Sequence, residues 1–146
     1  MSADPWNLAR FLEAQQGQYE RALGEIRSGQ KRSHWMWYVF PQFTGLGNSP
    51  TAVEYAIKSR EEAKQYLAHP VLGRRLVECA EAVLQIDDRS AHEIFGSPDD
   101  LKLRSSATLF ASVSPDGSVF HRVIDQYFDG RPDQRTIELI GRSDSH

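Results

Sequence analysis

Apolar residues recur at intervals of three and four along almost the whole chain, and no stretch alternates them cleanly enough to make a strand. That spacing gathers side chains on one face of an α-helix, so it constrains the fold more than any other feature. Leu8, Phe11, Leu12, Gln15, Tyr19, Leu23 and Ile26 form one such stripe, opened by Asp4-Pro5 and closed by Gly29. Asp suits an N-cap, Pro the first helical position, and Gly the left-handed turn at which helices stop. Ser59 with Glu62 and Ser90 with Glu93 have the spacing of capping boxes, each opening a short helix. Between them Val71, Leu72, Leu76, Ala80, Val83, Leu84 and Ile86 predict a longer one after Pro70. Ser97-Pro98-Asp99-Asp100 reads as a cap, a first-turn proline and two acids at the positive end of a helix through Leu103 and Phe110. Val119, Val123, Ile124, Tyr127 and Phe128 mark another, stopped by Gly130, and Ile137, Leu139 and Ile140 the last. Asp116-Gly117 precedes a helix and joins no β-branched runs. The fold class expected is all-α: one compact domain of about seven or eight short helices over residues 1–146, with a core at 5–141 and a frayed polar tail at 142–146.

Bulk composition supports a folded domain. The chain has 146 residues, 40% hydrophobic and 25% charged, the size and balance of a single globular unit. Seventeen basic and twenty acidic residues give a net charge of −3, which counts against nucleic acid as a partner. The single cysteine, Cys79, lies in a helical apolar pattern and reads as a small core residue. The N-terminus carries no positive region followed by an apolar stretch, and the longest apolar run is far short of a membrane span. The expected location is therefore the cytoplasm, with no membrane partner.

Function is sought where the composition is uneven. Five of the fifteen aromatic residues lie between Trp35 and Phe43. A helix there would be apolar on all sides, as a central one is, and would end before Pro41. No acid occurs between Glu25 and Glu54, although Arg27, Lys31, Arg32 and His34 do. Gly45-Leu46-Gly47 then leads to a helix near Thr51, a loop whose free N–H groups suit an anion. Tryptophan faces beside cations can stack a planar ring, but large aromatics in a small domain also serve as core. A second acid-free stretch runs from Asp100 to Asp116 and holds Lys102, Arg104, Ser105, Ser106 and Thr108. Its hydroxyls either line a polar cleft or bond back to the preceding turn where helices pack closely.

Other chemistry is not signalled. His34, His69, His92, His121 and His146 include no pair at metal-ligand spacing, so no metal is expected, and no cofactor fingerprint is present. His69 reads as a helix C-terminal residue, and His92 and His121 as solvent-facing. The acid pairs Glu61-Glu62, Asp87-Asp88 and Asp99-Asp100 stand in turns or at helix starts, where capping explains them.

The motifs Ser33-His34-Trp35-Met36-Trp37-Tyr38-Val39-Phe40-Pro41-Gln42, Gly45-Leu46-Gly47, His69-Pro70-Val71-Leu72-Gly73 and Leu101 to Phe110 occur in this order. In this the chain resembles the DUF1810 family, a domain of unknown function, from about Leu8 to Leu139. The resemblance implies a compact, mainly helical cytoplasmic protein and no particular activity. Some members are labelled calpastatin, which is a disordered inhibitor, whereas this composition is that of a folded domain.

The reading that follows is a binding protein, with or without catalysis, for an anionic or nucleotide-like small molecule. Lys31, Arg32 and Lys102 would supply charge, Trp35 and Trp37 a stacking wall, and His34, Gln42, Ser105 and Ser106 hydrogen bonds. The competing class is a protein-interaction or structural domain with an exposed apolar surface around Trp6, Phe11 and Tyr19.

Overall fold

A computed structural model describes residues 4–144, and these form ten helices, more than the seven or eight expected. Part of the difference is the first stripe, which is two helices. Gly17 adopts φ +74°, a left-handed conformation, and separates α1 (Ala9–Gln15) from α2 (Tyr19–Arg27). Both keep their apolar face inward, with Phe11 and Gln15 buried on one and Tyr19, Ala22, Leu23 and Ile26 on the other. Three of the ten are short helices at places the sequence marks: α3 (Met36–Val39), which stops short of Pro41, α4 (Pro50–Glu54) and α7 (Ala91–Phe95). The longer elements are α5 (Arg60–Ala68), α6 (Leu72–Leu84), α8 (Asp99–Ala111), α9 (Val119–Phe128) and α10 (Gln134–Asp144). Helix α10 continues past Gly141, where the sequence set the polar tail, and Asp144 meets Arg60 at 3.2 Å; residues 145–146 lie outside the described range.

Local start signals act mostly as their chemistry dictates, with three corrections. Ser90 and Glu93 make a complete capping box. Ser59 accepts the Glu62 N–H at 3.0 Å, but the Glu62 carboxylate turns away to Arg10 and the Lys58 N–H, so the reciprocal half is missing. Asp4 accepts the N–H groups of Leu8 and Ala9 across an intervening turn, which places Pro5 before α1 and not at its first position. Ser97 does not cap α8; Pro98 occupies that position without a side-chain cap, and Asp100 Oδ1 accepts the Leu101 N–H at 2.9 Å within the first turn.

Helix α8 is the axis of the core. It is buried at Leu103 and at every residue from Ser105 to Ala111, and it packs against α5, α7, α9 and α10. A helix apolar or small on all sides can only be central. Helix α6 closes the core from the other side against α2, α5 and α9. Gly73 permits the α5–α6 turn: a Cβ there would lie 2.0 Å from the Leu67 carbonyl oxygen. The β pairing among the described residues is one parallel bridge, Phe43 with Ile57. No described helix is long and apolar enough to cross a membrane.

Candidate functional site

The two acid-free stretches meet in space, and what joins them is an acid. Asp99, in the first turn of α8, receives Lys31 Nζ at 2.7 Å and Lys102 Nζ at 3.2 Å. Burial works to raise the Asp99 pKa, but the hydrogen bonds and charges of the two lysines outweigh it and hold the carboxyl below its ordinary range. Each lysine also covers an indole: Lys31 Nζ lies 5.0 Å from the Trp35 ring centroid and Lys102 Nζ 4.2 Å from that of Trp37. Lys31 is further tethered by its ammonium to the Ser33 carbonyl and by its N–H to the Ile94 carbonyl.

The two tryptophans have different fates. Trp35 is 0% exposed, enclosed by Phe40 and Phe95, and donates its indole N–H to Glu25 at 2.9 Å. It is core and offers no stacking face, a correction to the role assigned it from sequence. Trp37 is half-buried, with Lys102 on one face and Gly47 against its edge.

Glu25 organises the segment before α3. Its carboxylate accepts the N–H groups of Arg32 and Ser33, the Ser33 hydroxyl and the Trp35 indole, all within 2.9 Å. Burial opposes ionisation there, yet these donors hold the pKa down at about 2. The Arg32 and His34 residues themselves are exposed. Neither Glu25 nor Asp99 was singled out from sequence, although each stands at the edge of an acid-free stretch and so marks where its cations find a partner.

The remaining assigned residues divide. Gln42 is 5% exposed, with Nε2 lacking a hydrogen-bond partner among the described residues. It lines a cavity of about 20 Å³ with Trp37, the Gly45–Gly47 loop and Ala52, enough space for a water molecule but not a ring. That loop ends at Ser49, whose hydroxyl accepts the Ala52 N–H at 3.1 Å and so satisfies the start of α4 itself. Ser105 Oγ lies 3.1 Å from the Leu101 carbonyl and 3.2 Å from Asp133, while Thr108 donates to the Arg104 carbonyl at 2.8 Å. These are hydroxyls bonded back along a closely packed helix, so Ser105 is tied to Asp133 and not to the Lys102 cluster. Ser106 is buried, its hydroxyl without a partner among the described residues.

Larger cavities lie elsewhere. One of about 540 Å³ is lined by Asp4, Trp6, Leu12, Gln65, His69 and Pro70 among others. Phe11 and Tyr19 are buried, so the exposed apolar surface sought around Trp6 does not exist at those two positions. His69 ends α5 and its Nδ1 accepts the N–H groups of Val71 and Leu72, joining two helices. A depression of about 300 Å³ lies between α8, α9 and α10 and takes in His121, which is half-buried and not simply solvent-facing. Cys79 is buried, and desolvation pushes its thiol up to about 12, where it stays protonated and unreactive.

A family model described as a protein of unknown function (DUF1810) matches residues 5–140. The fold is similar to the crystal structure of the conserved hypothetical protein Rv1873 from Mycobacterium tuberculosis. The two share 51% sequence identity and a TM-score of 0.93, over 94% of this chain and 99% of that one. No curated protein matches the chain.

Proposed function

Because the chain belongs to the DUF1810 family, whose description assigns no activity, we propose a function from the site alone: binding of a small anionic, nucleotide-like molecule at the exposed edge of Trp37. One observation carries this reading. Two ammonium groups share a single carboxylate, leaving an uncompensated positive charge beside a half-buried indole. An anionic group can take up the surplus charge on Lys102, and a planar ring can slide along the indole edge. Lys31, 7% exposed and tethered, then acts as a fixed charge behind Asp99 while Lys102, 22% exposed, is the group that reaches the ligand. Arg32 and His34 would form an outer rim, and Gln42, behind Trp37, could meet a small acceptor only if the glycine loop shifts. A reducing compartment, the cytoplasm, suits a protein whose one cysteine is a buried thiol.

The test is a thermal-shift panel of nucleotides, sugar phosphates and dinucleotides. A ligand at a hundred times its Kd stabilises the fold by about 2.7 kcal/mol, roughly 5–10 °C in Tm for a domain of this size. Lys102→Met should abolish that shift while leaving the unliganded Tm within a few degrees. The reading fails if no compound raises Tm, or if those that do act equally on the variant.

A further inference from the structure

The depression between α8, α9 and α10 is separate from the Trp37 site, and we infer that it binds a small organic amine carried on an apolar body. Its walls are Ala111, Ile124, Pro132 and Ile137, and Ile137 is one of three large hydrophobic residues left exposed among those described, at 43%. A volume of about 300 Å³ suits one ring with a short chain. Two polar side chains enter it from α9, His121 and Asp125, one helical turn apart and so on the same face.

The charge on these groups selects the ligand. The exposed side chain of Asp125 makes no hydrogen bond or ion pair with any described residue, and no Lys or Arg is among the lining residues, so its carboxylate is an unmatched negative charge beside an apolar wall. His121 is oriented by the helix start. Ser118 Oγ accepts the His121 backbone N–H at 3.3 Å and lies 2.7 Å from its Nδ1. With the hydroxyl hydrogen directed to Nδ1, the neutral ring carries its proton on Nε2 and presents a donor. The site thus pairs an anion for an ammonium group with a donor for a neighbouring oxygen, above a surface that removes an aromatic or aliphatic body from water. An anionic ligand would face Asp125, and the guanidinium that reaches the wall, that of Arg60, is already engaged by the Ser112 carbonyl at 3.0 Å and by Asp144 at 3.2 Å.

The probe is phenethylamine, with 2-phenylethanol as its neutral isostere, titrated into the full chain and followed by amide NMR shifts. Phenethylamine should move the signals of Ala111, His121, Ile124, Asp125 and Ile137, leaving those of Trp37 and Lys102 in place. It should bind about two- to fivefold tighter than the alcohol, the advantage of an ion pair to an exposed carboxylate. Asp125→Asn, at an exposed position with no partner to lose, should bring the amine down to the level of the alcohol. Absence of shifts at these residues, equal binding of amine and alcohol, or undiminished binding to the variant would each overturn the inference.

Discussion

Replacing Arg10 with methionine should be among the most damaging single changes in this protein, and the structure supplies the reason. Arg10 Nη2 lies 2.7 Å from Glu62 Oε2, and the two side chains are 9% and 0% exposed. The same guanidinium donates to the carbonyls of Trp6, Asn7, Glu54 and Ala56, so the segments before α1 and after α4 are held on one head group. Without it, the Glu62 carboxylate keeps the Lys58 N–H at 2.8 Å as its one remaining hydrogen-bond donor among the described residues. The part-buried carbonyls can take up water; the enclosed carboxylate cannot. Removing one partner of a buried ion pair costs about 3–5 kcal/mol, a large share of the 5–15 kcal/mol typical of a whole domain. In a chain of this length that is a fall of roughly 10–15 °C in Tm. Urea unfolding followed by circular dichroism and tryptophan fluorescence measures it by linear extrapolation. The double variant Arg10→Met/Glu62→Leu removes both charges and should recover at least half of the loss, since two apolar side chains of similar reach need no desolvated charge. A single variant within about 1 kcal/mol of the parent, or a double variant that loses the sum of the two single losses, would refute the reasoning.

Two further changes test the loop before α3 and the α5–α6 turn. The Glu25 carboxyl titrates at about 2 in the fold against an ordinary value of 4.5, so its stabilising effect is complete above pH 4.5 and is lost as pH falls towards 2. Glu25→Gln should flatten the acid limb of stability in that window, read from the fluorescence of Trp35, and an unchanged slope would contradict the assignment. Gly73→Ala sets a Cβ 2.0 Å from a backbone oxygen that cannot rotate aside. It should cost at least the roughly 1–3 kcal/mol of ordinary overpacking, and a urea midpoint equal to that of the parent would show that α5 and α6 are free to separate.

Helix positions were legible because their causes are local. Ser90 and Glu93 cap the five-residue helix α7 within their own reach, and the three-and-four spacing of Tyr19, Leu23 and Ile26 turns one face of α2 inward whatever packs against it. Ser59 with Glu62 has the same spacing, yet the carboxylate is claimed by Arg10 from α1, a competitor that no local pattern contains. The candidate site was legible as a place but not as a set of contacts. Runs without acids disclose unpartnered cations along the chain, and the acids that satisfy them, Glu25 and Asp99, stand just outside those runs and read there as helix residues.

The amino-acid sequence by itself determined the helical class and most helix ends, since periodicity, capping and proline act over a few residues, and it marked two segments without acids. Tertiary structure decided what those segments became. Trp35 and Trp37 are two residues apart in the same aromatic run, and one is sealed among Phe40, Phe95 and Glu25 while the other stays half-buried beneath Lys102. Ser105 and Ser106 are adjacent, and one is bonded to Asp133 while the other has no partner among the described residues. Which neighbour a side chain meets depends on how helices distant in the chain are packed, and that choice is made by the core as a whole.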